Sequence, residues 1–258
     1  MKDAKEVKRG VASEEYYIRR EVWEKKPQIR LVYERWVEKM RPLLPQQGSL
    51  LEVGSGSGLL RDFIPEVILS EVVDLPWIDR VVDCMNMPFG DEELAGVIGF
   101  DLLHHLSHPH SFLNEVTRVL MPGGRAFFIE PYITFFSFFG YKALHHEGIC
   151  FKDYFLDKEK KDPWAGNLAS ANLIFKRDLK NWTSVHPDLA IIHRELFSFF
   201  DFTCAAGFKP YAYLPHSFFR HLVKIDDHLT WLMPLIAFRI FVVLEKTPMN
   251  MKNIRNGN

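Results

Sequence analysis

Short apolar runs, separated by turn residues, recur between residues 48 and 130 of the chain. Runs of about four to eight apolar residues are typical of buried strands, and apolar residues at helical spacing between such runs are typical of an α/β protein. Most of these runs end in an acidic residue, which would place carboxylates along the edge where parallel strands end. The pattern predicts strands at residues 50–53, 66–71, 79–83, 94–101 and 125–130.

The chain on either side of this region has a different pattern. Residues 1–47 carry apolar residues at helical spacing, which predicts helices that either fold over the sheet as a lid or cover one of its edges. Residues 131–195 form an insertion rich in aromatic residues and histidine. Residues 196–248 are predicted to supply the closing strands, with a central antiparallel strand at 238–245, and the polar tail from Met249 is predicted to fray.

Composition and charge narrow the class of protein. With 258 residues and 47% apolar content, the chain is long enough for one α/β domain over residues 1–258, with additions rather than a second full core. A formal net charge of -1 gives no electrostatic reason to expect a nucleic-acid partner. Three widely spaced cysteines and a polar start that lacks a secretory signal indicate a cytoplasmic location. No apolar run is long enough to span a bilayer, although two come near, so peripheral membrane contact stays open.

A glycine loop follows the first predicted strand. It reads Gly54-Ser-Gly-Ser-Gly58, and Glu52 stands just before it. Glycine allows positive φ angles and lets a ligand lie against bare backbone. Dinucleotide-binding loops use the spacing G-x-G-x-x-G and bind a pyrophosphate anion, which the acid Glu52 would repel. An acid at this point suits a ligand with a cationic group, and this weighs against a nicotinamide-dependent oxidoreductase.

This loop resembles the first motif of class I S-adenosylmethionine-dependent methyltransferases, and the resemblance extends over residues 50–130. Residues 83–89 resemble the adenine-binding segment of that family, residues 100–106 resemble its small-molecule, quinone-biosynthesis branch, and the turn at 121–124 is also typical of it. The resemblance implies an α/β fold with a Rossmann-like, doubly wound, seven-stranded sheet and an antiparallel last strand. N-terminal helices and the aromatic-rich insertion would be added to this sheet.

The resemblance also implies S-adenosylmethionine as the cofactor and a set of residues around it. Glu52 would face the cationic end of the cofactor, and Glu71, or alternatively Asp74, would accept the ribose hydroxyls. Only a short helix fits between the loop and Glu71, because the segment that joins them has fewer residues than the same segment of a nucleotide-binding unit usually has. The implied cofactor-binding residues are Glu52, Gly54, Ser55, Gly56, Gly58, Glu71, Asp83, Cys84, Met85 and Asp101.

Histidines near the predicted strand ends are candidates for a catalytic base, because an imidazole with an ordinary pKa of about 6.5 accepts a proton near neutrality. His105 is favoured over its neighbour His104. His146 and Glu147 would orient or deprotonate an acceptor hydroxyl if the insertion covers the pocket. The competing interpretation gives all of these side chains packing, capping or solvated positions. We expect no metal site from the histidines within residues 104–110, because their spacing is not that of a zinc motif.

The insertion bears on the acceptor. Residues 133–141 hold five aromatic residues directly after the fifth predicted strand, where they would form either an acceptor pocket or plain core. A small apolar or lipid-linked acceptor and O- or C-methylation are favoured, since Phe100-Asp101-Leu-Leu stands where amino-methyltransferases often carry Asn-Pro-Pro-Tyr. The alternative is a cofactor-binding module without activity that serves as a partner or regulator. No oligomeric state follows from the sequence.

Overall fold

The centre of the molecule is a seven-stranded sheet in the computed structural model, which describes residues 4–154 and 165–247. The strands are β1 Leu50–Val53, β2 Ile68–Glu71, β3 Arg80–Val81, β4 Leu94–Phe100, β5 Leu120–Pro131, β6 Leu189–Phe197 and β7 Arg239–Lys246. Their order is β3-β2-β1-β4-β5-β7-β6. Strands β1 to β5 are parallel, and β7 lies antiparallel between β5 and β6, which confirms the predicted sheet and its antiparallel last strand.

Helices cover the faces and ends of this sheet. Among the described residues they are α1 Ala4–Lys25, α2 Pro27–Met40, α3 Pro109–Val119, α4 Phe135–Leu144, α5 Ser170–Asn172, α6 Trp182–Val185, α7 Asp201–Ala205, α8 His216–Asp226 and α9 Met233–Ile236. None of them combines the length and the apolar content that a membrane span requires. The short helix predicted after the glycine loop is a single 3-10 turn, Leu59–Asp62, because Pro65 follows so closely.

The burial of the central strands agrees with their apolar sequences. Strands β1 and β4 are buried along their whole length, as parallel strands covered on both faces must be. Because side chains alternate along a strand, Val97 of β4 joins the core cluster that contains Phe112, whereas Ile98 joins the second cluster, which contains Trp36. The two clusters hold the sheet from both sides, so the carboxyl ends of β1, β2, β4 and β5 form one fixed edge.

Two predicted segment boundaries fall inside strands. The boundary between residues 195 and 196 cuts β6, and β5 extends past residue 130 to Pro131. The sequence does not show β6 as a strand because this edge strand is mostly half-buried and carries the charged residues Arg194 and Glu195. The predicted central strand at 238–245 is confirmed as β7. The polar tail and residues 155–164 of the insertion lie outside the described residues.

The aromatic run after β5 forms a surface helix. Thr134 caps α4, because its Oγ1 accepts the backbone N–H of Ser137 at 3.3 Å while Ser137 Oγ accepts the backbone N–H of Thr134 at 2.7 Å. On the outer side of α4, Phe135, Phe136 and Phe139 are exposed. Other residues of α4 line the cavity described below, so the helix is neither plain core nor wholly a pocket wall.

Candidate active site

A cavity of about 900 Å³ opens at the edge of the sheet where β1, β2, β4 and β5 end. Its walls include every residue of the predicted cofactor-binding and catalytic sets except Gly58. Gly58 instead packs against the side chains of Trp77 and Leu69, since a Cβ atom there would be 2.7 Å from Trp77 and 3.0 Å from Leu69. Asp74, the alternative to Glu71, is exposed and is not among the lining residues.

The glycine loop takes the conformation that its spacing predicts. Gly54, Gly56 and Gly58 have φ angles of +70°, +48° and +68°, a region that side chains disfavour. The backbone N–H of Gly56 donates to Glu71 Oε2 at 3.0 Å, which joins the loop to the end of β2. A Cβ atom at Gly56 would lie 2.9 Å from the ring of Tyr16, so the loop is tightly covered from above.

The cover comes from α1. Ser57 Oγ donates to the backbone carbonyl of Tyr16 at 3.0 Å, and Arg20 Nη1 donates to the carbonyl of Ser57 at 2.8 Å. Arg20 also lies 4.6 Å over the ring of Trp77, beside the loop. Tyr16 and Arg19 line the cavity, together with Tyr33 of α2. These contacts favour the lid interpretation of the N-terminal helices over a simple edge cover.

Glu52, at the end of β1, is a buried acid that lacks a complete set of partners. Its Oε2 has no hydrogen-bond partner among the described residues. Burial, with a smaller contribution from the charge of Glu71, raises the pKa of Glu52 to about 8. A carboxyl group in this state is neutral at pH 7 and ionises when a cation comes within a few ångströms of it.

Glu71 and Asp83 end β2 and follow β3 at the same edge. Glu71 Oε1 accepts the backbone N–H of Val72 at 2.8 Å, and burial raises the pKa of Glu71. Asp83 is more exposed, and its Oδ1 accepts the backbone N–H of Met85 at 2.9 Å. Burial, assisted by the charge of Asp83, raises the pKa of the Cys84 thiol to about 12, so this side chain is a neutral thiol. The wall here offers carboxylate oxygens to hydroxyl and amino groups.

Asp101 follows β4 and is paired with a residue that the sequence analysis did not place in the site. Arg239, at the start of β7, is 2% exposed and donates to Asp101 Oδ1. Burial opposes ionisation of Asp101, but Arg239 outweighs it and lowers the pKa of Asp101 below its usual value. The one feature of the sequence that could have identified Arg239 as a site residue is that it is the only charged residue in the apolar run 231–244. Asp101 itself lies in the left-handed region with φ +51°, which aspartate tolerates better than most residues.

His104 is the second residue that the sequence analysis undervalued. Its Nδ1 lies 2.8 Å from Glu130 Oε2, while Glu130 Oε1 accepts the backbone N–H groups of Leu102 and Leu103 at 2.8 and 2.7 Å. Burial lowers the pKa of His104 to about 4. Burial, followed by the neighbouring His104, lowers the pKa of His105 to about 3. Both imidazoles are therefore neutral at pH 7, both line the cavity, and each is a weaker base than the ordinary imidazole from which the sequence prediction starts.

Glu147 lies among three histidines. Its Oε2 is 3.7 Å from His104 Nε2 and 3.5 Å from His145 Nδ1, and its Oε1 is 3.6 Å from His105 Nδ1. The Glu147 side chain is 4% exposed, and burial, followed by the charge of Asp101, raises the pKa of Glu147 to about 8. His146 lies at the rim, exposed and stacked on His145. The structure thus brings together the two predicted catalytic segments, which are 40 residues apart in the sequence.

The cavity therefore has two chemically different regions. Around the glycine loop, acidic side chains can accept from hydroxyl and amino groups and can attract a cation. Around Glu147, neutral imidazoles can accept a proton from a bound acceptor or donate an electron pair to a metal ion. Apolar side chains, among them Leu102 and Phe238, also line the cavity.

Comparison with known proteins matches the family model described as "Methyltransferase domain" to residues 25–200. The ubiquinone/menaquinone biosynthesis C-methyltransferase UbiE of Chromobacterium violaceum is 31% identical over 102 residues, which cover 37% of this chain and 37% of that protein. UbiE of Cupriavidus metallidurans is 23% identical over 146 residues, which cover 54% of this chain and 48% of that protein. The chain therefore matches less than half the length of these two relatives.

Among solved structures, the chain is similar to a SAM-dependent methyltransferase from Archaeoglobus fulgidus, with a TM-score of 0.52 and 12% identity. The alignment covers 84% of this chain and 94% of that structure. At this level of identity the similarity concerns the fold alone.

Proposed function

The chain belongs to the methyltransferase domain family, with S-adenosylmethionine as its cofactor, and we propose that it transfers the cofactor's methyl group to a small apolar or lipid-linked acceptor. The observation that carries this proposal is Glu52, a buried carboxyl group with an unpartnered oxygen at the start of the glycine loop. A buried acid ionises at little cost only when a cation lies beside it. The ammonium and sulfonium groups of S-adenosylmethionine would supply that charge.

The other residues at this end of the cavity fit the rest of the cofactor. Glu71 Oε1 has one lone pair left for a ribose hydroxyl, because each carboxylate oxygen accepts two hydrogen bonds and Oε2 already accepts from the Gly56 backbone and from the Tyr16 hydroxyl. Asp83 would accept from the adenine amine, and the backbone of Cys84 and Met85 would border the ring. Asp101, held by Arg239, would add a second carboxylate near the cationic groups.

S-adenosylmethionine supplies an electrophilic methyl carbon when it is bound. The residues of the chain would hold the acceptor in line with that carbon, keep water out and take a proton from the acceptor. In this proposal His105 and His146 are the proton acceptors, and Glu147 orients the acceptor's hydroxyl group. An acceptor that loses a proton in this way is methylated on oxygen or on an activated carbon. The names of the UbiE relatives, which are C-methyltransferases, support the carbon atom.

A lipid-linked acceptor is supported by the outer side of α4. The ring of Phe135 contacts those of Phe136 and Phe139, with centroids 5.2 and 5.6 Å apart, and each of these residues is more than half exposed. Lys142 lies on the same helix, and Tyr141 and Leu144 line the cavity. Aromatic rings beside a basic residue are suited to the interface of a bilayer. An acceptor that is anchored in a membrane would enter the cavity from this side. The three free cysteines favour a reducing compartment such as the cytoplasm.

We expect the α4 surface to bind vesicles. The triple variant Phe135→Ser, Phe136→Ser, Phe139→Ser should lose most of the sedimentation with phosphatidylcholine/phosphatidylglycerol vesicles that the unaltered protein shows, because about 2 kcal/mol per buried ring is removed. Phe218→Ser, at an exposed position of α8, is the matched control and should sediment normally. Equal sedimentation of the triple variant, or none by the unaltered protein, would contradict membrane contact through α4.

Cofactor binding should release protons at pH 7. Glu52, with a pKa of about 8, is mostly protonated before binding, and a neighbouring cation lowers that pKa, so close to one proton should leave. Isothermal titration calorimetry with S-adenosylmethionine, in phosphate and in Tris buffer, measures this number from the difference in heat. S-adenosylhomocysteine should also bind, and NADH should not.

Two variants separate Glu52 from other titrating groups. Glu52→Gln should bind S-adenosylmethionine about 10-fold to 100-fold more weakly and release about one proton fewer, because the charge that attracts the cation is missing. Glu66→Gln replaces an exposed acid outside the cavity and should match the unaltered protein. If the protein binds neither adenosyl ligand, the proposed function fails. If Glu52→Gln binds and releases protons normally, Glu52 does not face the cation.

A further inference from the structure

The group around Glu147 is built more like a ligand set than like a hydrogen-bond network. The closest contacts of its carboxylate to His104 Nε2 and His105 Nδ1 are 3.7 and 3.6 Å, which is long for a hydrogen bond. Glu147 Oε2 has no hydrogen-bond partner among the described residues, although the side chain is almost fully buried, with only 4% of it exposed. A buried carboxylate oxygen without a partner requires an explanation, and a bound cation is one of the few available.

The spacing of the donor atoms suits a metal ion between them. His104, His105 and Glu147 each offer a ligand atom, and all of these atoms lie within 4.8 Å of one another. Ligands bound to Zn²⁺ at about 2.0–2.1 Å in a tetrahedral arrangement lie about 3.3 Å apart. The closest pairs here are therefore within a few tenths of an ångström of a coordinated geometry.

His104 already has the outer support that metal-binding histidines usually show. When Glu130 is ionised, the Nδ1–H of His104 donates to it at 2.8 Å, and the lone pair of Nε2 then faces Glu147. A carboxylate behind an imidazole fixes the ring and raises its basicity as a ligand. Glu130 is in turn held by the backbone N–H groups of Leu102 and Leu103, so this support is rigid.

The charges in this region also favour a cation. Two acidic side chains, Glu130 and Glu147, flank His104, while the cation Arg239 is ion-paired with Asp101. Histidine binds a metal ion in its neutral form. His105 Nδ1 also lies 3.2 Å from the carbonyl oxygen of Ala165, so metal binding would use the Nε2–H form of this ring and release that contact.

We propose that His104 Nε2, His105 Nδ1 and the carboxylate of Glu147 form a site for one divalent transition-metal ion of the Zn²⁺ class, with an open position toward the cavity. Two imidazoles and one carboxylate favour such an ion over Mg²⁺, which prefers oxygen ligands. The structure brings Glu147 to the histidine pair from the loop after α4, which is why no metal motif is visible in the sequence.

The site deepens the proposed function and in that respect rests on it. The open position would take an acceptor oxygen, so the acceptor class narrows to molecules with a phenolic, enolic or similar oxygen whose pKa a metal ion lowers. In the metal-bound protein His105 is a ligand, and His146 at the rim becomes the proton acceptor.

The test is zinc binding by the full chain without an affinity tag, after treatment with EDTA and dialysis. Titration calorimetry with ZnCl₂ should show one equivalent bound, and Glu147→Gln should weaken that binding at least about 100-fold. Glu66→Gln, an exposed acid outside the cavity, should bind zinc normally. MgCl₂ should bind at least about 100-fold more weakly than ZnCl₂. Co²⁺ should give d–d absorption bands without the thiolate charge-transfer band that Cys84 or Cys150 would cause.

The inference is overturned if the unaltered protein binds no zinc, if Glu147→Gln binds it equally well, or if Co²⁺ shows a thiolate band. Thermal unfolding checks that Glu147→Gln is folded, and His105→Gln, with the same expected loss, replaces it in the comparison if it is not. No S-adenosylmethionine or acceptor is present in these titrations. Failure of zinc binding therefore leaves methyl transfer standing, and failure of cofactor binding leaves the metal site standing.

Discussion

Replacing Gly56 with valine is expected to weaken S-adenosylmethionine binding at least about 100-fold, a loss of about 2.7 kcal/mol, while the sheet stays folded. Gly56 has φ +48°, where a β-branched residue is strained. A Cβ atom there would also lie 2.9 Å from the ring of Tyr16, so the loop and the lid would have to separate. The added methyl groups would occupy the surface against which the cofactor lies. Titration calorimetry at constant temperature measures the change.

Gly123 offers a matched control for this substitution. It has φ +80°, but a Cβ atom there meets no other atom within 4 Å, and it is not among the residues that line the cavity. Gly123→Val should therefore lower the melting temperature, because the backbone strain is comparable, and leave cofactor affinity unchanged. If both variants lose affinity equally, the effect of Gly56→Val is a general loss of stability. If Gly56→Val binds as tightly as the unaltered protein, the glycine loop is not the cofactor site.

The end of the cavity around the glycine loop could be predicted from the sequence because its geometry is local. Glu52 and the glycines are neighbours in the chain, and a strand followed by such a loop has few possible conformations. Glu71 and Asp83 lie at the ends of successive strands, and strand ends of a parallel sheet meet at one edge whatever the side chains are. Strand periodicity was therefore sufficient to bring these four groups into one cavity.

The end of the cavity around Glu147 depends on contacts between distant segments, and these could not be predicted. Glu147 reaches His104 only because the insertion folds back over the end of β4, and nothing in either segment specifies that contact. Arg239 reaches Asp101 from 138 residues away, because β7 inserts beside β5. Glu130 was recognised as the end of a strand, but its role as the support of His104 follows from burial that only the folded chain creates.

Whether the N-terminal helices lie over the cavity depends on a similar kind of contact. The apolar spacing before residue 47 shows that α1 and α2 have a buried side, but it does not show which part of the sheet they cover. Ser57 Oγ donates to the backbone carbonyl of Tyr16, and Arg20 donates to the carbonyl of Ser57, so these two contacts place α1 on the glycine loop.

His105→Gln and His146→Gln are expected to lower kcat by about 100-fold to 10,000-fold while cofactor affinity stays within about 2-fold of normal. Both side chains line the cavity at its imidazole-rich end, so their loss removes proton acceptance or acceptor orientation without touching the glycine loop. The measurement is transfer of labelled methyl groups to a panel of phenolic and quinol lipids, followed by steady-state kinetics with the acceptor that the unaltered protein uses. Calorimetry with S-adenosylhomocysteine gives the affinity.

His108→Gln is the matched control, because His108 is an exposed histidine in the same connection that does not line the cavity. His108→Gln should turn over normally.

The two active-site variants, His105→Gln and His146→Gln, should differ from each other in one respect. After EDTA treatment the addition of zinc should change the rate of His146→Gln, which keeps all three proposed ligands, and should not change that of His105→Gln. Normal turnover by both active-site variants would show that neither histidine accepts the proton. Glu147 is then the next candidate for the base, and its pKa of about 8 predicts a rate that increases with pH through that value.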